Sequence, residues 1–193
     1  MTVQKTKKGK VYIIGAGPGD AGLITLKAVE ALLAADVLIY DNLVNEELLK
    51  FAPTPARFIY AGKKGGDHTL SQEQINELLV KEARAGNIVA RLKGGDPFIF
   101  GRGGEEAQKL AENNVEFEII PGVTSAIAVP AYAGIPLTQR GFTSTVAFVT
   151  GHEDPTKEKS DIDWPALAKI GTLVFLMGVK NLAEITKELI KNG

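Results

Sequence analysis

IVARLKGGDPFIFGRGGEE, residues 88–106, is the stretch of sequence that decides the fold. Its first five residues, 88–92, predict a buried strand, and two glycines follow at once, where a backbone can turn sharply or approach a ligand closely. Pro97 favours an extended Asp96 that presents its carboxylate rather than burying it in a helix. Glu105 and Glu106 come where a helix begins, a position that favours acidic side chains.

This order of strand, glycine loop, carboxylate and helix is typical of open α/β sheets. Such sheets form their ligand crevice at the carboxyl ends of the strands. The alternative is a glycine-rich connection that only turns a corner. The sequence therefore predicts a ligand site next to Gly94, Gly95 and Asp96, with the corner as the competing interpretation.

Short apolar runs alternate with helical patterns along the whole chain. The strand candidates are residues 11–14, 37–40, 57–61, 88–92, 117–120, 145–150 and 173–177. These runs are continuously apolar, as in strands that are covered on both faces, and such strands are usually parallel. Strands that alternate with helices predict an α/β fold with a mostly parallel sheet.

The helices between these runs carry recognisable start signals. Ser71-Gln72-Glu73-Gln74 is a capping box that predicts a helix start. Asp163-Trp164-Pro165 predicts an N-cap with proline in the first turn. In the first helix, Leu26, Val29 and Leu33 predict the apolar face, with Glu30 as a polar break.

Pro121-Gly122 marks the expected domain boundary. It predicts an N-terminal α/β domain over residues 1–120 and a C-terminal α/β domain over residues 121–193. Two strands and their helices can hardly bury both faces of a sheet, and the chain stops at a glycine that follows a helix. We therefore expect the second domain to be incomplete, either as in a truncated protein or as a domain that borrows a partner.

Composition excludes several classes of function. The formal net charge of the 193 residues is −1, so no global field attracts nucleic acid or an anionic membrane. Cysteine is absent, which excludes disulfides, thiolate metal sites and thiol nucleophiles. His68 and His152 each stand alone, so no metal site is expected. The first apolar run is too short for a signal peptide, and a cytoplasmic protein is the default expectation.

The loop Gly15-Ala16-Gly17-Pro18-Gly19-Asp20 follows the first strand and invites comparison with a dinucleotide site. The dinucleotide fingerprint needs a third glycine where this chain has Asp20, whose carboxylate would repel a pyrophosphate. Pro18 also removes a backbone N–H that could bind phosphate. The loop therefore approaches something other than a phosphate, or it is a tight turn in which Asp20 caps the next helix.

Several motifs together resemble one known family. They are GAGPGDAGLITLKA at 15–28, YDNLV at 40–44, GKKGG at 62–66, RLKGGDPFIFGRGGEE at 91–106, PGVTSA at 121–126 and GIPLTQR at 134–140. This set resembles the tetrapyrrole methylase family from about residue 10 to the end of the chain. Each glycine motif is weak alone, whereas the combination is highly specific.

The resemblance implies both an architecture and an activity. Members have two α/β domains with a cleft between them, bind S-adenosyl-L-methionine there and form homodimers. The implied activity is C-methylation of uroporphyrinogen III towards precorrin-2, on the route to sirohaem and corrinoids, with S-adenosyl-L-homocysteine as the second product. The glycine loops that begin at Gly15 and Gly94 are then expected to converge on one cleft.

The resemblance also implies roles for individual residues. The cofactor-binding positions are Pro18, Gly94, Gly95, Asp96, Ile99, Thr124, Ser125 and Met177. Asp41 takes the position of the proposed proton acceptor, and Lys63 takes that of the proposed proton donor. Taken from the residues alone, Asp41 could instead cap a turn, and Lys63 could be a solvated surface charge.

A carboxylate-rich tetrapyrrole also needs cationic partners. The candidates are Lys63, Lys64, Arg91, Lys93, Arg102 and Arg140. Arg102 and Arg140 are preferred because arginine binds carboxylates in a planar, bidentate manner. Arg91 lies inside a strand pattern, where it could instead pair with a carboxylate of the fold.

Three alternatives to this function stay open. One is a methylase of the same family that acts on another tetrapyrrole. The second is a nicotinamide-dependent oxidoreductase, against which Asp20 and the broken fingerprint count. The third is a non-catalytic binding or dimerisation fragment, because family members carry further cofactor contacts in a longer C-terminal segment.

Overall fold

A computed structural model describes residues 8–62, 70–152 and 161–193 of the chain. The chain divides into two compact units, Met1–Ser125 and Ala126–Gly193. The sequence places the boundary after residue 120, whereas the units of the structure divide after Ser125. The short segment between these two positions contains the PGVTSA motif.

All the predicted strands are present. They are β1 Lys10–Gly15, β2 Val37–Tyr40, β3 Arg57–Tyr60, β4 Ile88–Lys93, β5 Glu116–Ile120, β6 Val146–Thr150 and β7 Thr172–Leu176. The first five form one sheet in the order β3-β2-β4-β1-β5, and every neighbouring pair is parallel. In the second unit β6 and β7 also pair in parallel. The predicted α/β fold with a parallel sheet is thus confirmed.

Helices connect these strands. They are α1 Leu26–Leu33, α2 Gln72–Arg84, α3 Gly103–Glu112, α4 Ser125–Tyr132, α5 Trp164–Leu167 and α6 Leu182–Asn192, with short 3₁₀ turns at Ala21–Leu23, Glu46–Phe51 and Val179–Asn181. The capping box at α2 is confirmed, since Ser71 Oγ accepts from Gln74 N and Gln74 Oε1 accepts from Ser71 N. Asp163 caps α5 as predicted, by accepting from Ala166 N at 3.0 Å.

The five-stranded sheet has an apolar core on each face. Ile14 and Leu32 belong to the core on the side of α1, whereas Ile13 and Leu110 belong to the core on the side of α2 and α3. Ile13 and Ile14 are consecutive and both fully buried, because side chains of a strand alternate between its two faces. This two-sided burial explains why the strand sequences are continuously apolar.

The predicted apolar face of α1 is wrong. Leu26 and Leu33 are 84% and 59% exposed, whereas Ala28, Ala31 and Leu32 are buried. The buried positions follow the helical spacing of one face, and two of them are alanines that let the helix lie close to the sheet. The larger leucines dominated the sequence pattern, although the smaller residues form the packed face.

The second unit is built around the pair of strands β6 and β7. Gly151, which follows β6, packs against Gly178, which follows β7, and a Cβ on Gly151 would lie 2.2 Å from the Gly178 Cα. Asn181 Nδ2 donates to the Gly151 carbonyl at 2.7 Å. Trp164 of α5 stacks on Phe175 of β7 with ring centroids 6.2 Å apart.

In the described residues of the chain, no helix combines the length and apolar character of a membrane span.

Candidate active site

The loops after β1 and β4 are joined by backbone hydrogen bonds. Gly17 N donates to the Gly95 carbonyl at 3.1 Å, and Gly95 N donates to the Gly17 carbonyl at 2.7 Å. Ala16 N adds a bond to the Lys93 carbonyl at 2.7 Å. The two strands are neighbours in the sheet, so their carboxyl ends meet at one edge. The expected convergence of the two glycine loops is therefore observed within the first unit.

A third loop, after β5, packs against the other two through glycine. A Cβ on Gly15 would lie 2.5 Å from the Gly122 Cα, and a Cβ on Gly122 would lie 2.3 Å from the Gly95 carbonyl oxygen. Side chains cannot be accommodated at these distances. Three motifs that are far apart in sequence are thus brought together by contacts that only glycine permits.

The paired glycines after β4 have different surroundings. A Cβ on Gly94 would lie 2.6 Å from the Cβ of Leu43, so this glycine is required for close packing. Gly95 has φ +67°, and the nearest atom to a Cβ placed there is the Thr124 Cα at 4.0 Å. The backbone of Gly95 therefore borders open space that a side chain would occupy. This is the kind of cradle in which a ligand can approach the main chain closely.

Asp96 links two of these loops with its carboxylate. Oδ1 accepts from Phe98 N at 2.8 Å, and Oδ2 accepts from Gly122 N at 3.0 Å. The side chain is therefore a structural tie as well as a candidate ligand contact. Each carboxylate oxygen has two acceptor positions, so both oxygens can still accept from a bound molecule.

The other predicted cofactor-binding residues of the first unit lie in or beside these loops. Pro18 and Ile99 are half-buried, Thr124 is buried, and Ser125 is the first residue of α4. Met177 belongs to the second unit, where it directly follows β7 and is 57% exposed. Its role in binding stays a prediction.

Left-handed backbone conformations occur at several of the singled-out positions. Phe100, Arg102 and Met177 have φ of 51°, 58° and 59°. Such a conformation costs a residue other than glycine roughly 1–2 kcal/mol. Strained residues of this kind cluster at functional sites more often than elsewhere. Asn114, in the turn after α3, has φ of 53° as well, but asparagine adopts this conformation more readily than other residues. Among the described residues, the remaining strained positions lie in the loop after β4 and at the end of β7.

Arg102 is held by its neighbour on α3. Its Nε and Nη2 both donate to the Glu105 carboxylate at 2.7 Å, and this guanidinium lowers the pKa of Glu105. The pair is exposed to solvent. Arg140, in the second unit, is also exposed. Both arginines are thus accessible to a carboxylate ligand.

Four charged residues form a buried cluster beside these loops. Arg91 Nη2 donates to Asp41 Oδ2 at 3.2 Å, and Arg91 Nε donates to Glu106 Oε1 at 3.1 Å. Lys93 Nζ donates to the same Glu106 oxygen at 2.9 Å. The Arg91 side chain is 3% exposed and that of Glu106 is fully buried. Burial, together with the nearby Arg91 charge, lowers the pKa of Lys93.

The structure describes one of the two predicted catalytic residues, Asp41, and not the other, Lys63. Asp41 directly follows β2, and 26% of its side chain is exposed, so it lies at the carboxyl edge of the sheet. Lys63 lies outside the described residues, as do Lys64 and His68. Over the described ranges, no group of three or more His, Cys, Asp or Glu side chains is placed to hold a metal ion.

Asp20 caps the short 3₁₀ turn that follows its loop. Its Oδ1 accepts from Gly22 N at 2.8 Å. This capping role of Asp20 is the one predicted from the sequence as the alternative to a loop that approaches a ligand closely. The capped turn contains no phosphate-binding arrangement of the dinucleotide type, because the carboxylate occupies the place of the third glycine.

A comparison with known families decides the assignment. Residues 10–193 match the model of the family described as Tetrapyrrole (Corrin/Porphyrin) Methylases. The chain belongs to the tetrapyrrole methylase family. The match extends over both units and includes every motif on which the sequence resemblance was based.

Relatives of this tetrapyrrole methylase include well-matched enzymes. The chain is 56% identical over 186 residues to an S-adenosyl-L-methionine-dependent uroporphyrinogen III methyltransferase of Methanosarcina barkeri, covering 96% of this chain and 73% of the relative. It is 57% identical over 189 residues to a uroporphyrinogen-III C-methyltransferase of Bacillus subtilis, covering 96% and 72%. The chain thus spans about three-quarters of the length of these relatives.

Solved structures of the family have the same fold. A Thermus thermophilus uroporphyrin-III C-methyltransferase complexed with S-adenyl homocysteine gives a TM-score of 0.79 at 45% identity, covering 95% of this chain and 77% of that one. A cobalt precorrin-4 methyltransferase gives a TM-score of 0.82 at 34% identity, covering 95% and 75%.

The buried charges of this tetrapyrrole methylase were not predicted from its sequence. The sequence pattern indicates an ordinary acidic residue at a helix start for Glu106 and a loop cation for Lys93, although both are buried in one ion cluster. The available signal was the pair Arg91 and Lys93, two positions apart on an otherwise apolar strand and therefore on the same face. The option that Arg91 pairs with a carboxylate of the fold is confirmed.

Proposed function

We propose that this chain is an S-adenosylmethionine-dependent C-methyltransferase that methylates uroporphyrinogen III towards precorrin-2. The observation that carries this proposal is 56–57% identity, over 96% of the chain, to enzymes with that named activity. The product then leads to sirohaem and corrinoids. The broken dinucleotide fingerprint and the capping role of Asp20 give no support to the nicotinamide-dependent alternative.

The loops after β1, β4 and β5 fit the cofactor in one important respect. The open space beside Gly95 allows a ligand to contact the main chain, and the acceptor positions left on Asp96 suit hydroxyl or amino groups. S-adenosylmethionine supplies an activated methyl group on a sulfonium. We assign its binding to Pro18, Gly94, Gly95, Asp96, Ile99, Thr124, Ser125 and Met177.

The protein's part in the reaction is to position the reactants and to move a proton. Alignment of a donor and an acceptor can lower a barrier by about 7–11 kcal/mol. A pyrrole carbon that gains a methyl group leaves the macrocycle with a positive charge, which is relieved when a proton departs. We assign the acceptor role to Asp41, at the end of β2, and the donor role to Lys63.

Substrate recognition requires cations for the carboxylates of the macrocycle. We assign this task first to Arg102 and Arg140, both of which are exposed. Arg102 already pairs with Glu105, so a substrate carboxylate would compete with that side chain for the guanidinium. Arg91 is excluded from direct contact by its burial and its two carboxylate partners.

The decisive experiment combines binding with turnover. We expect S-adenosylhomocysteine to raise the melting temperature, NAD to leave it unchanged, and methyl transfer to uroporphyrinogen III to be detectable. A shift with NAD alone would overturn the proposal. A shift with S-adenosylhomocysteine without turnover would instead favour the non-catalytic fragment.

A methylase for another tetrapyrrole is the second candidate. The observation in its favour is the likeness to a cobalt precorrin-4 methyltransferase, with a TM-score of 0.82 at 34% identity. A direct comparison of uroporphyrinogen III with later tetrapyrrole intermediates, at equal concentration, separates the two. Higher kcat/KM for a later intermediate would replace the first candidate by the second.

Assembly and location complete the proposal. We propose a homodimer in the cytoplasm, without a nucleic-acid or membrane partner. Sedimentation equilibrium of the purified chain tests the assembly directly. A monomer at micromolar concentration would remove the dimer from the proposal without affecting the assigned reaction.

A further inference from the structure

The two oxygens of the Asp41 carboxylate have different surroundings. Oδ2 accepts a hydrogen bond from Arg91 Nη2 at 3.2 Å. Oδ1 is buried and accepts no hydrogen bond from the part of the chain that the structure describes. An unsatisfied buried acceptor is costly, and such atoms often mark functional positions. Among the described residues, the cluster contains two such atoms, Asp41 Oδ1 and Glu106 Oε2. Asp41 is the partly exposed one of these two residues, with 26% of its side chain exposed, and the proposed function makes it the proton acceptor.

Arg91 is fixed by three hydrogen bonds that go to different partners. Its Nη2 binds Asp41, its Nε binds Glu106 at 3.1 Å, and its Nη1 binds the Leu92 carbonyl at 3.3 Å. The guanidinium is planar and rigid, and this side chain is 3% exposed. It therefore has little freedom to turn, and it restricts the Asp41 carboxylate in the same way.

Glu106 holds Arg91 from the opposite side. It is fully buried, and its Oε1 also accepts from Lys93 Nζ at 2.9 Å and from Gln72 Nε2 at 3.3 Å. These partners come from β4 and α2, whereas Glu106 itself lies in α3, so the anchor is part of the packed core. Two cations and two carboxylates balance in formal charge, which allows the cluster to remain buried.

We infer that Arg91, anchored by Glu106, is a positioning residue that orients the Asp41 carboxylate at the carboxyl edge of the sheet, where it is to accept the proton. The inference rests on the proposed function, because it takes Asp41 as the acceptor. A cluster that served packing alone would have no need of a partly exposed carboxylate at the carboxyl edge of the sheet. Arg91 acts only through Asp41 and contacts no substrate.

The first test is Arg91→Lys, which keeps the positive charge but loses the planar fork. We expect kcat for methyl transfer to fall at least about tenfold, because a well-positioned general acid or base typically contributes about 10²–10⁴-fold and a misplaced one keeps only part of this. KM and the affinity for S-adenosylhomocysteine should stay within about twofold, because the contacts that bind are untouched. An unchanged kcat would overturn the inference.

Arg57→Lys is the matched control. Arg57, the first residue of β3, pairs with the buried carboxylate of Glu82, far along the strands from the site edge. The substitution therefore alters an arginine pair with a buried carboxylate without touching Asp41, although the Arg57 side chain is 57% exposed and that of Arg91 only 3%. We expect the kcat of Arg57→Lys to equal that of the unaltered chain. An equal fall of kcat in Arg57→Lys and Arg91→Lys would show that the effect of Arg91→Lys comes from lost stability, and it would overturn the inference.

A double-mutant cycle separates this inference from the proposed function. If Arg91 acts through Asp41, Arg91→Lys should have no further effect on kcat in an Asp41→Asn background. A further tenfold fall there would overturn the inference alone. Full activity of Asp41→Asn by itself would remove Asp41 from the mechanism and Arg91 with it, whereas absence of methyl transfer in the unaltered chain would overturn the proposed function first.

Discussion

The two units of the chain bury their apolar residues to very different degrees. Among the described residues, 24 of the 28 buried apolar residues lie in Met1–Ser125, and only Ala126, Ala128, Val149 and Ile185 lie in Ala126–Gly193. The central strands of the first unit are covered on both faces, whereas every residue of β7 is half-buried. The first unit therefore has its own apolar core, whereas the second unit has a much smaller one.

This difference extends to the charged residues. The first unit contains the buried cluster around Glu106, in which each charge has an opposite partner. The ion pairs of the second unit, such as Lys187 with Glu184, lie on the surface of α6 at helical spacing. We conclude that the loops proposed to bind the cofactor in the first unit are supported by a rigid framework.

The largest expected effect is that of Glu106→Ala. Removal of this carboxylate leaves Arg91 and Lys93 buried without their shared partner, and breaking such a pair costs about 3–5 kcal/mol. Glu184→Ala in α6 breaks an exposed pair that is worth about 0–1 kcal/mol. Hydrogen exchange of the β4 amides measures the free energy of unfolding of the first unit. Equal losses in both variants would contradict the contrast between the units.

The second comparison uses the same substitution in both units. Leu38 in β2 is fully buried, so Leu38→Ala should cost about 2–5 kcal/mol. Leu173 in β7 is half-buried, so Leu173→Ala should cost about 1–2 kcal/mol, in proportion to the apolar area it covers. The only tryptophan of the chain, Trp164, belongs to the second unit and reports its unfolding by fluorescence. A larger loss for Leu173→Ala would show that the second unit is the better packed of the two.

The fold was largely predictable because its decisive signals are local. Each strand of the parallel sheet is a continuous apolar run, and each prediction of a capped helix rested on neighbouring residues such as Ser71 and Gln74. The face of α1 could not be predicted in the same way. Its packing is decided by how closely Ala28 and Ala31 allow the helix to approach the sheet, and this depends on partners that are distant in sequence.

The candidate site was predictable in its loops and not in its buried charges. The glycines of the three loops mark the close contacts directly, since a Cβ on Gly15 or Gly122 would overlap the neighbouring backbone. Glu106 has no such mark, because an acidic residue at a helix start is usually solvated. Only the sheet order, which places β2 beside β4, brings Asp41 to Arg91. Pairing between distant residues of this kind cannot be read from spacing.

The third comparison concerns two aspartates that both accept from backbone N–H groups. Asp96→Ala leaves the N–H groups of Phe98 and Gly122 without their partner, which should cost about 1–3 kcal/mol in addition to weaker S-adenosylhomocysteine binding. Asp163→Ala removes the N-cap of α5, which should cost about 0.5–2 kcal/mol and leave binding unchanged. Calorimetric titration with S-adenosylhomocysteine, alongside denaturant unfolding, checks both effects. Unaltered binding by Asp96→Ala would assign Asp96 to the loop structure alone.

The smallest expected effect is the pH dependence of stability from Glu118 on β5. Hydrogen bonds from Lys10, at 2.7 Å, and from Lys27 lower its pKa from 4.5 to about 2. A carboxylate with a lowered folded-state pKa contributes stability above its ordinary pKa and loses that contribution as the pH falls from about 4.5 towards about 2. Because the side chain is partly exposed, the loss should stay below about 1 kcal/mol. Glu118→Gln should therefore flatten this part of the curve for the first unit, measured by hydrogen exchange. Glu188→Gln, in α6 of the second unit, should leave the curve of the first unit unchanged. A Glu118→Gln curve as steep as that of the unaltered chain would show that the two lysines do not stabilise β5.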